Sequence, residues 1–213
     1  MKFILFFALV MSFASHASMA TVYDGSVSEL LVKVADAPTE PQLTSTHEDL
    51  TRAKVVVVIN KSPIGSTSQK IRIYVDGSLA YEWLVSTGRE QIEKSVSGRT
   101  YITTTPVGYF RPTSIEENHY SETWKADMPH AVFFRGGVAI HASPHIDHLG
   151  KRASGGCVRL APDHATIFYK LVESMKTKEV PLINRNGKSV VDSKGKPVMT
   201  NSRDVLIIVE NHA

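Results

Sequence analysis

The sequence predicts a mainly β domain, sandwich-like and of mixed strand direction, with one principal helix late in the chain. Three observations carry this. Short β-branched or alternating runs recur from Val55-Val56-Val57-Val58-Ile59 to Val205–Val209. Turn residues punctuate them roughly every ten positions. Only one long stretch, 162–176, repeats apolar residues at helical spacing. Many short strands and a single helix satisfy their apolar faces by packing as layers over a shared core.

The first twenty residues stand apart. Lys2 gives a positive start, Phe3 to Phe13 is almost wholly apolar, and Ser18-Met19-Ala20 supplies small residues at a cleavage spacing. Residues 1–20 therefore read as a secretory signal peptide. As a membrane anchor the run is too short, since a span needs roughly twenty apolar residues. The expected location is exported, in the periplasm or cell wall, with no stable membrane insertion after cleavage. Residues 21–52 are polar, broken by Pro38 and Pro41, and read as an N-terminal extension. A domain is expected over 53–210, with a hairpin insertion near 183–203.

Within that domain, the run at 55–59 suits a buried strand. Lys70 to Val75 alternates polar and apolar, as a half-buried strand does. Asp76-Gly77 is a two-residue hairpin signal, with the return strand over 80–86. Residues 89–98 are charged and read as a loop. Tyr101–Thr105 and Gly108–Arg111 read as strands. Residues 112–130, with Trp124, Met128, Pro129 and His130, read as a long functional loop or lid. Ala131–Phe134 and Val138–Ile140 are strands around an Arg135-Gly136-Gly137 turn, the second delivering His141. Pro162 suits a first helical turn and Asp163 its positive end. Asn186-Gly187 and Lys194-Gly195 mark turns of the later hairpin, and Val205–Val209 closes the domain.

Charge excludes little but points somewhere. A net charge of +3 suits anionic surroundings. Without a Lys/Arg block it does not argue for nucleic acid. Cysteine usage says more. An exported protein ordinarily pairs its cysteines, yet this chain has a single one, Cys157. By count alone it is a buried bystander, an intermolecular bridge or a reactive thiol.

Its neighbours favour reactivity. A free thiol is mostly protonated at neutral pH and needs a base or a positive charge to become a nucleophile. His141 ends a predicted strand and can reach Cys157 across the intervening loop. Arg159, two residues on, points to the same face of an extended backbone. Gly155 and Gly156 free the backbone to turn, so that the N–H groups of Gly156 and Cys157 can face a developing oxyanion. The combination points to acyl transfer through a thioester. His145, Asp147 and His148, with His141, have the residue types of a metal site, but their spacing differs from the zinc motifs. They read as solvated loop residues or substrate contacts, and no metal or cofactor is expected.

The strings Ile140-His141-Ala142-Ser143 and Ser154-Gly155-Gly156-Cys157-Val158-Arg159-Leu160 resemble the L,D-transpeptidase (YkuD) catalytic domain. Leu84-Val85-Ser86-Thr87-Gly88, Thr105-Pro106-Val107-Gly108-Tyr109-Phe110 and Phe134–His141 resemble other family segments, in the same order, over about 53–182. The resemblance implies a sandwich of the L,D-transpeptidase type, with Cys157 as nucleophile and His141 as base. The His would be oriented by a carbonyl of Ala142 or Ser143. Ser154, Gly155, Gly156 and Ala142 would shape the site and its oxyanion hole. Arg159 would hold the loop or meet a substrate carboxylate, and Ser143, Trp124 and Tyr109 would meet substrate, with Met128 and Phe133 as further candidates for a groove. The implied substrate is a peptidoglycan stem tetrapeptide, attacked at the carbonyl of its third residue with loss of D-alanine. An L,D-carboxypeptidase or a non-catalytic wall-binding module are the alternatives. One position departs from the pattern: Gly155 stands where the family usually has histidine.

Overall fold

In this computed structural model the described residues are 53–96 and 98–213. The signal-peptide and N-terminal-extension expectations lie outside them. Among the described residues no helix is long and apolar enough to cross a membrane.

The chain begins with β1 (Val55–Asn60), β2 (Lys70–Val75) and β3 (Ser78–Leu84). A small hairpin of β4 (Ile92–Lys94) and β5 (Thr100–Ile102) follows, then β6 (Gly108–Phe110). Next come β7 (Ser114–Ser121), β8 (Ala126–Arg135) and β9 (Val138–Ala142). After a loop with a short 3-10 turn at Ile146–His148 come β10 (Val158–Leu160) and α1 (Pro162–Ser174). The chain closes with β11 (Thr177–Pro181), β12 (Met199–Arg203) and β13 (Val205–Glu210).

These strands form a five-stranded sheet, β3-β2-β1-β13-β6, and a four-stranded sheet, β10-β9-β8-β7. The pairs β4–β5 and β11–β12 stand apart. The larger sheet is mixed, with β1 antiparallel to β2 but parallel to β13. That explains the unbroken β-branched run of β1: every one of its residues is buried. Val55, Val57 and Ile59 face the main core, while Val56 and Val58 face a second cluster with Tyr74 and Leu206. The main core is completed by Val132, Phe134, Ile140, Val158 and Leu160 of the smaller sheet, and by the apolar face of α1. The predicted helix is present, with Pro162 in its first turn and Asp163 beside it.

The expected lid at 112–130 is instead a hairpin. β7 and β8 pair antiparallel along their length, from Ser114↔Phe133 to Ser121↔Ala126. β7 carries Glu116, Glu117, Asn118 and His119, so its sequence lacks apolar alternation. It is a strand because β8 supplies a ladder partner. Pro129 cannot donate to that ladder, and the adjacent His130 takes a left-handed backbone, φ +55. The charged stretch after residue 89, expected as loop throughout, contains β4.

The fold makes a graded prediction. Phe168 of α1 is fully buried in the main core, so Phe168→Ala is expected to cost about 3–5 kcal/mol. Ile102 of β5 is 66% exposed, and Ile102→Ala should stay within about 0.5 kcal/mol. Urea unfolding of both variants measures the contrast. Equal losses would mean that α1 is not packed as described.

Candidate active site

β9 and β10 are parallel neighbours in the register Val158↔Ile140, Arg159↔His141, Leu160↔Ala142. Paired residues share a face, and faces alternate along each strand. Ile140, Ala142, Val158 and Leu160 point into the main core. His141 and Arg159 therefore point to the opposite face. Cys157, two residues before Arg159, packs against Ala139, Phe133 and Met128 on that same face. Cys157 and His141 are thus diagonal neighbours on adjacent strands, the relation that their sequence separation concealed.

His141 is 6% exposed. Its Nδ1 lies 2.7 Å from the Ala142 carbonyl oxygen. A carbonyl only accepts, so Nδ1 carries the proton and Nε2 is left with its lone pair. Burial pushes the imidazole down to about 4, against the pull of the Ala142 carbonyl and with help from the Arg159 and His119 charges. The ring is neutral at physiological pH. Burial also raises the Cys157 thiol above its ordinary value, opposed by a backbone hydrogen bond from Ala139 and by Arg159. The half-buried thiol faces the Gly137 carbonyl oxygen at 3.7 Å. The pair is therefore thiol and imidazole, not thiolate and imidazolium.

The loop before Cys157 is held on several sides. The Thr87 carbonyl accepts N–H bonds from Ala153 and Ser154, both at 2.9 Å. The Ser154 hydroxyl donates to the Cys157 carbonyl at 2.5 Å and accepts from the Gly156 N–H at 3.0 Å. The Thr105 hydroxyl donates to the Gly156 carbonyl and accepts from the Gly88 N–H. Behind Thr105, the buried Lys61 ammonium binds Glu90 at 2.8 Å, the Thr104 hydroxyl at 3.0 Å and the Thr105 carbonyl at 2.7 Å. Arg159 and Arg89 both donate to the Ala153 carbonyl, at 3.3 and 2.7 Å.

A cleft of about 520 Å³ opens over the thiol. Met128, Phe133, Trp124 and Tyr101 supply its apolar walls, with His119, Thr104, Gly155 and Gly156 beside them. The Trp124 indole lies directly on Gly155: a Cβ there would sit 2.7 Å from its ring. Tyr101 and the Arg89 guanidinium flank the indole, with centroid distances of 5.9 and 6.0 Å. The space of a side chain at 155 is thus filled from the β7–β8 hairpin.

The structure brings together Cys157, His141, Arg159, Ala142, Ser154, Gly155, Gly156 and Trp124, and separates others. Tyr109 pairs with Ile208 in the larger sheet and packs on its outer cluster, away from the thiol cleft. Ser143 is buried beyond the end of β9, where its hydroxyl accepts the His145 N–H. Neither lines the thiol cleft. The Gly156 N–H, expected to face an oxyanion, is taken by Ser154. The Cys157 N–H makes no hydrogen bond among the described residues. Arg159 braces the loop in preference to standing free. His145 and His148 stack on one another at 5.4 Å. No group of three His, Cys, Asp or Glu side chains that could hold a metal ion occurs among the described residues. Sequence reasoning passed over His119 and Tyr101. Both sit on polar hairpins with no motif, and their places follow only from strand pairing.

Several comparisons bear on this arrangement. The family model for the L,D-transpeptidase catalytic domain, YkuD, matches residues 54–199. An L,D-transpeptidase from Xylanimonas cellulosilytica superposes with TM-score 0.53 at 24% identity, over 80% of this chain and 64% of that one. An L,D-transpeptidase from Mycobacterium smegmatis gives 0.50 at 21% identity, over 74% and 59%. This chain thus spans less than two thirds of either structure, and at these identities the likeness is one of fold. No curated protein matches. The family match covers more than half of the chain: the chain belongs to the L,D-transpeptidase (YkuD) catalytic-domain family.

Proposed function

We propose that the protein is a cysteine-dependent L,D-transpeptidase that acts on peptidoglycan stem tetrapeptides outside the cytoplasm. The observation that carries this reading is the shared face of β9 and β10, where a thiol lies diagonal to a neutral imidazole whose remaining lone pair is on Nε2. Export, which a wall substrate requires, rests on the apolar N-terminal stretch.

The sequence of bonds follows from those protonation states. The Cys157 side chain turns from the Gly137 carbonyl towards His141, and its proton passes to Nε2 as Sγ attacks the carbonyl carbon of the third stem residue. Charge on the carbonyl oxygen is met by the Cys157 N–H, since the Gly156 N–H is committed. One such donor is typically worth about 3 kcal/mol in the transition state. Collapse breaks the bond to D-alanine, whose amine leaves with the proton from His141. An acceptor amine then attacks the thioester and gives its proton to His141, and the thiol is restored. The Nδ1 bond to Ala142 holds the ring through both transfers, as base orientation requires.

Intact-mass spectrometry with a stem tetrapeptide is expected to show one acyl adduct on Cys157 and equimolar D-alanine. Cys157→Ala gives neither, and His141→Gln slows acylation by about 10²–10⁴-fold. With an acceptor amine the expected product is the cross-linked peptide. Tripeptide alone, with and without the amine, would make the protein a carboxypeptidase. Binding without any adduct would make it a wall-binding module.

The protonation states give a pH signature. Alkylation of Cys157 by iodoacetamide should rise with pH to a midpoint above the ordinary thiol value of about 8.5. Acylation, which uses neutral His141, should persist well below pH 6.5 and fall only near the imidazole's value of about 4. An alkylation plateau already reached near neutral pH would mean a preformed thiolate–imidazolium pair.

The Trp124 contact gives a steric test. Gly155→His places a ring where the indole lies, so it should lower acylation by roughly tenfold or more, the loss expected when a neighbouring wall is displaced by about 1 Å. Trp124→Ala should then recover part of that loss in the double variant. Additive losses would mean that the two positions do not share the space.

A further inference from the structure

A second cleft, of about 570 Å³, lies between β6, the edge of the larger sheet, and the segment leading through 182–202. Three arginines line it, Arg111, Arg135 and Arg185, and no aspartate or glutamate does. Arg111 follows β6, Arg135 ends β8, and Arg185 runs beside β6, where its carbonyl accepts the Tyr109 N–H at 3.1 Å. Among the described residues neither Arg135 nor Arg185 has a carboxylate partner. Arg185 spends one N–H on the Val107 carbonyl. Arg111 is more telling. Its Nε is buried with no hydrogen-bond partner, and its Nη1 reaches only the Val205 carbonyl, at 3.4 Å. Asp204, the acid whose charge it feels, is bound by Lys178 at 2.6 Å.

Three guanidinium groups on one cleft, with no carboxylate in its lining, offer an anion several donors. Their planar forks match carboxylate and phosphate oxygens. The remaining lining distinguishes these. Asn201 offers an amide, Asn184 its side-chain N–H groups, since its Oδ1 already accepts from the Asn186 and Lys188 N–H groups, and Leu182, 39% exposed, an apolar wall. A bare ion needs none of these, whereas a peptide with carboxylate side chains uses all of them. The cleft's volume is of the size that holds a small ligand. Its position adds the connection to chemistry. Phe134 and Arg135 lie on this cleft, and Gly137 and Val138, across the β8–β9 turn, line the cleft over Cys157.

We infer that the arginine cleft binds a carboxylate-bearing peptide segment, separately from the peptide that meets Cys157. In identifying that segment with a second wall stem, the inference rests on the proposed function. The probe is the stem tripeptide, which lacks the terminal D-alanine, titrated into the full chain and followed by backbone amide NMR shifts and calorimetry. Shifts are expected at Thr113, Arg135, Asn184 and Asn201. Arg135→Gln with Arg185→Gln should weaken that binding tenfold or more. Arg135→Gln alone, which removes no intramolecular hydrogen bond of the described residues, should weaken it measurably. Shifts confined to the thiol cleft, or unchanged affinity in either variant, would overturn the inference. Inorganic phosphate binding as tightly as the tripeptide would also overturn it, in favour of a bare anion site.

Acylation of Cys157 by tetrapeptide is measured in the same double variant, where it should match the parent. An unacylated parent with tripeptide still bound among the arginines removes the enzyme reading and leaves this one. Acylation without tripeptide shifts at the cleft does the reverse.

Discussion

The backbone of Ser86-Thr87-Gly88 is the constraint on which the site depends. β3 is an edge of the larger sheet and β10 an edge of the smaller one. Where β3 ends, Ser86 exchanges two backbone hydrogen bonds with Arg159 of β10, at 3.1 and 2.9 Å, and so closes one sheet edge on the other. The next carbonyl, Thr87, takes two N–H groups of the thiol loop. Gly88 then passes so close to the Thr103 carbonyl that a Cβ would sit 2.3 Å from its oxygen. Gln69, fully buried, secures this segment from beneath. Its amide nitrogen reaches the Lys61 carbonyl and the Thr87 hydroxyl, while its oxygen accepts the Thr87 N–H at 3.0 Å. An amide buried this deeply is tolerable only when its atoms are paired. Thr87 is therefore fixed in one position, and the thiol loop with it.

That rigid loop meets a strand pair whose register sets the electrostatics. A parallel pairing puts His141 opposite Arg159, with Cys157 one diagonal away. A guanidinium beside an imidazole opposes protonation of the ring and favours ionisation of the thiol, so a single charge pushes both groups towards forms suited to proton transfer. Burial works with it on the histidine and against it on the cysteine. The balance leaves a neutral imidazole beside a protonated thiol. Arg159 can hold this role because its own hydrogen bond goes to a loop carbonyl and not to a carboxylate that would cancel its charge.

What was legible in the sequence follows from the range of each interaction. The strands β1 and β13 declare themselves because both faces are buried, so nearly every residue is apolar. Asp76-Gly77 declares its hairpin because the turn chemistry is local. Cys157, His141 and the Ala142 carbonyl were legible because two short segments hold all three. β7 was not, since its polar residues become a strand only against β8. Tyr109 lies off the thiol cleft, on the arginine-lined one, because its strand belongs to the other sheet, which its sequence pattern does not reveal. The role of the Gly156 N–H was misjudged for a different reason: a flexible glycine pair leaves both N–H groups free in principle, and only the Ser154 hydroxyl decides that one is taken.

The same distinction changes the meaning of Gly155. By sequence it is a missing histidine, a subtraction from an otherwise matching segment. In the fold it is a vacancy with an occupant, because Trp124 comes across from the β7–β8 turn and lays its indole there. A residue at 155 could shape the cleft only from its floor and would move with the thiol loop. A tryptophan carried by a separate hairpin, flanked by Tyr101 and Arg89 from a third part of the chain, makes the wall depend on three elements at once. It also replaces a polar, titratable ring with a broad apolar face whose only donor is the indole N–H. The cleft over Cys157 is consequently less polar at this point. The arginines beyond the β8–β9 turn line a different cleft, so the apolar wall over Cys157 and the positive charge of this face are kept apart.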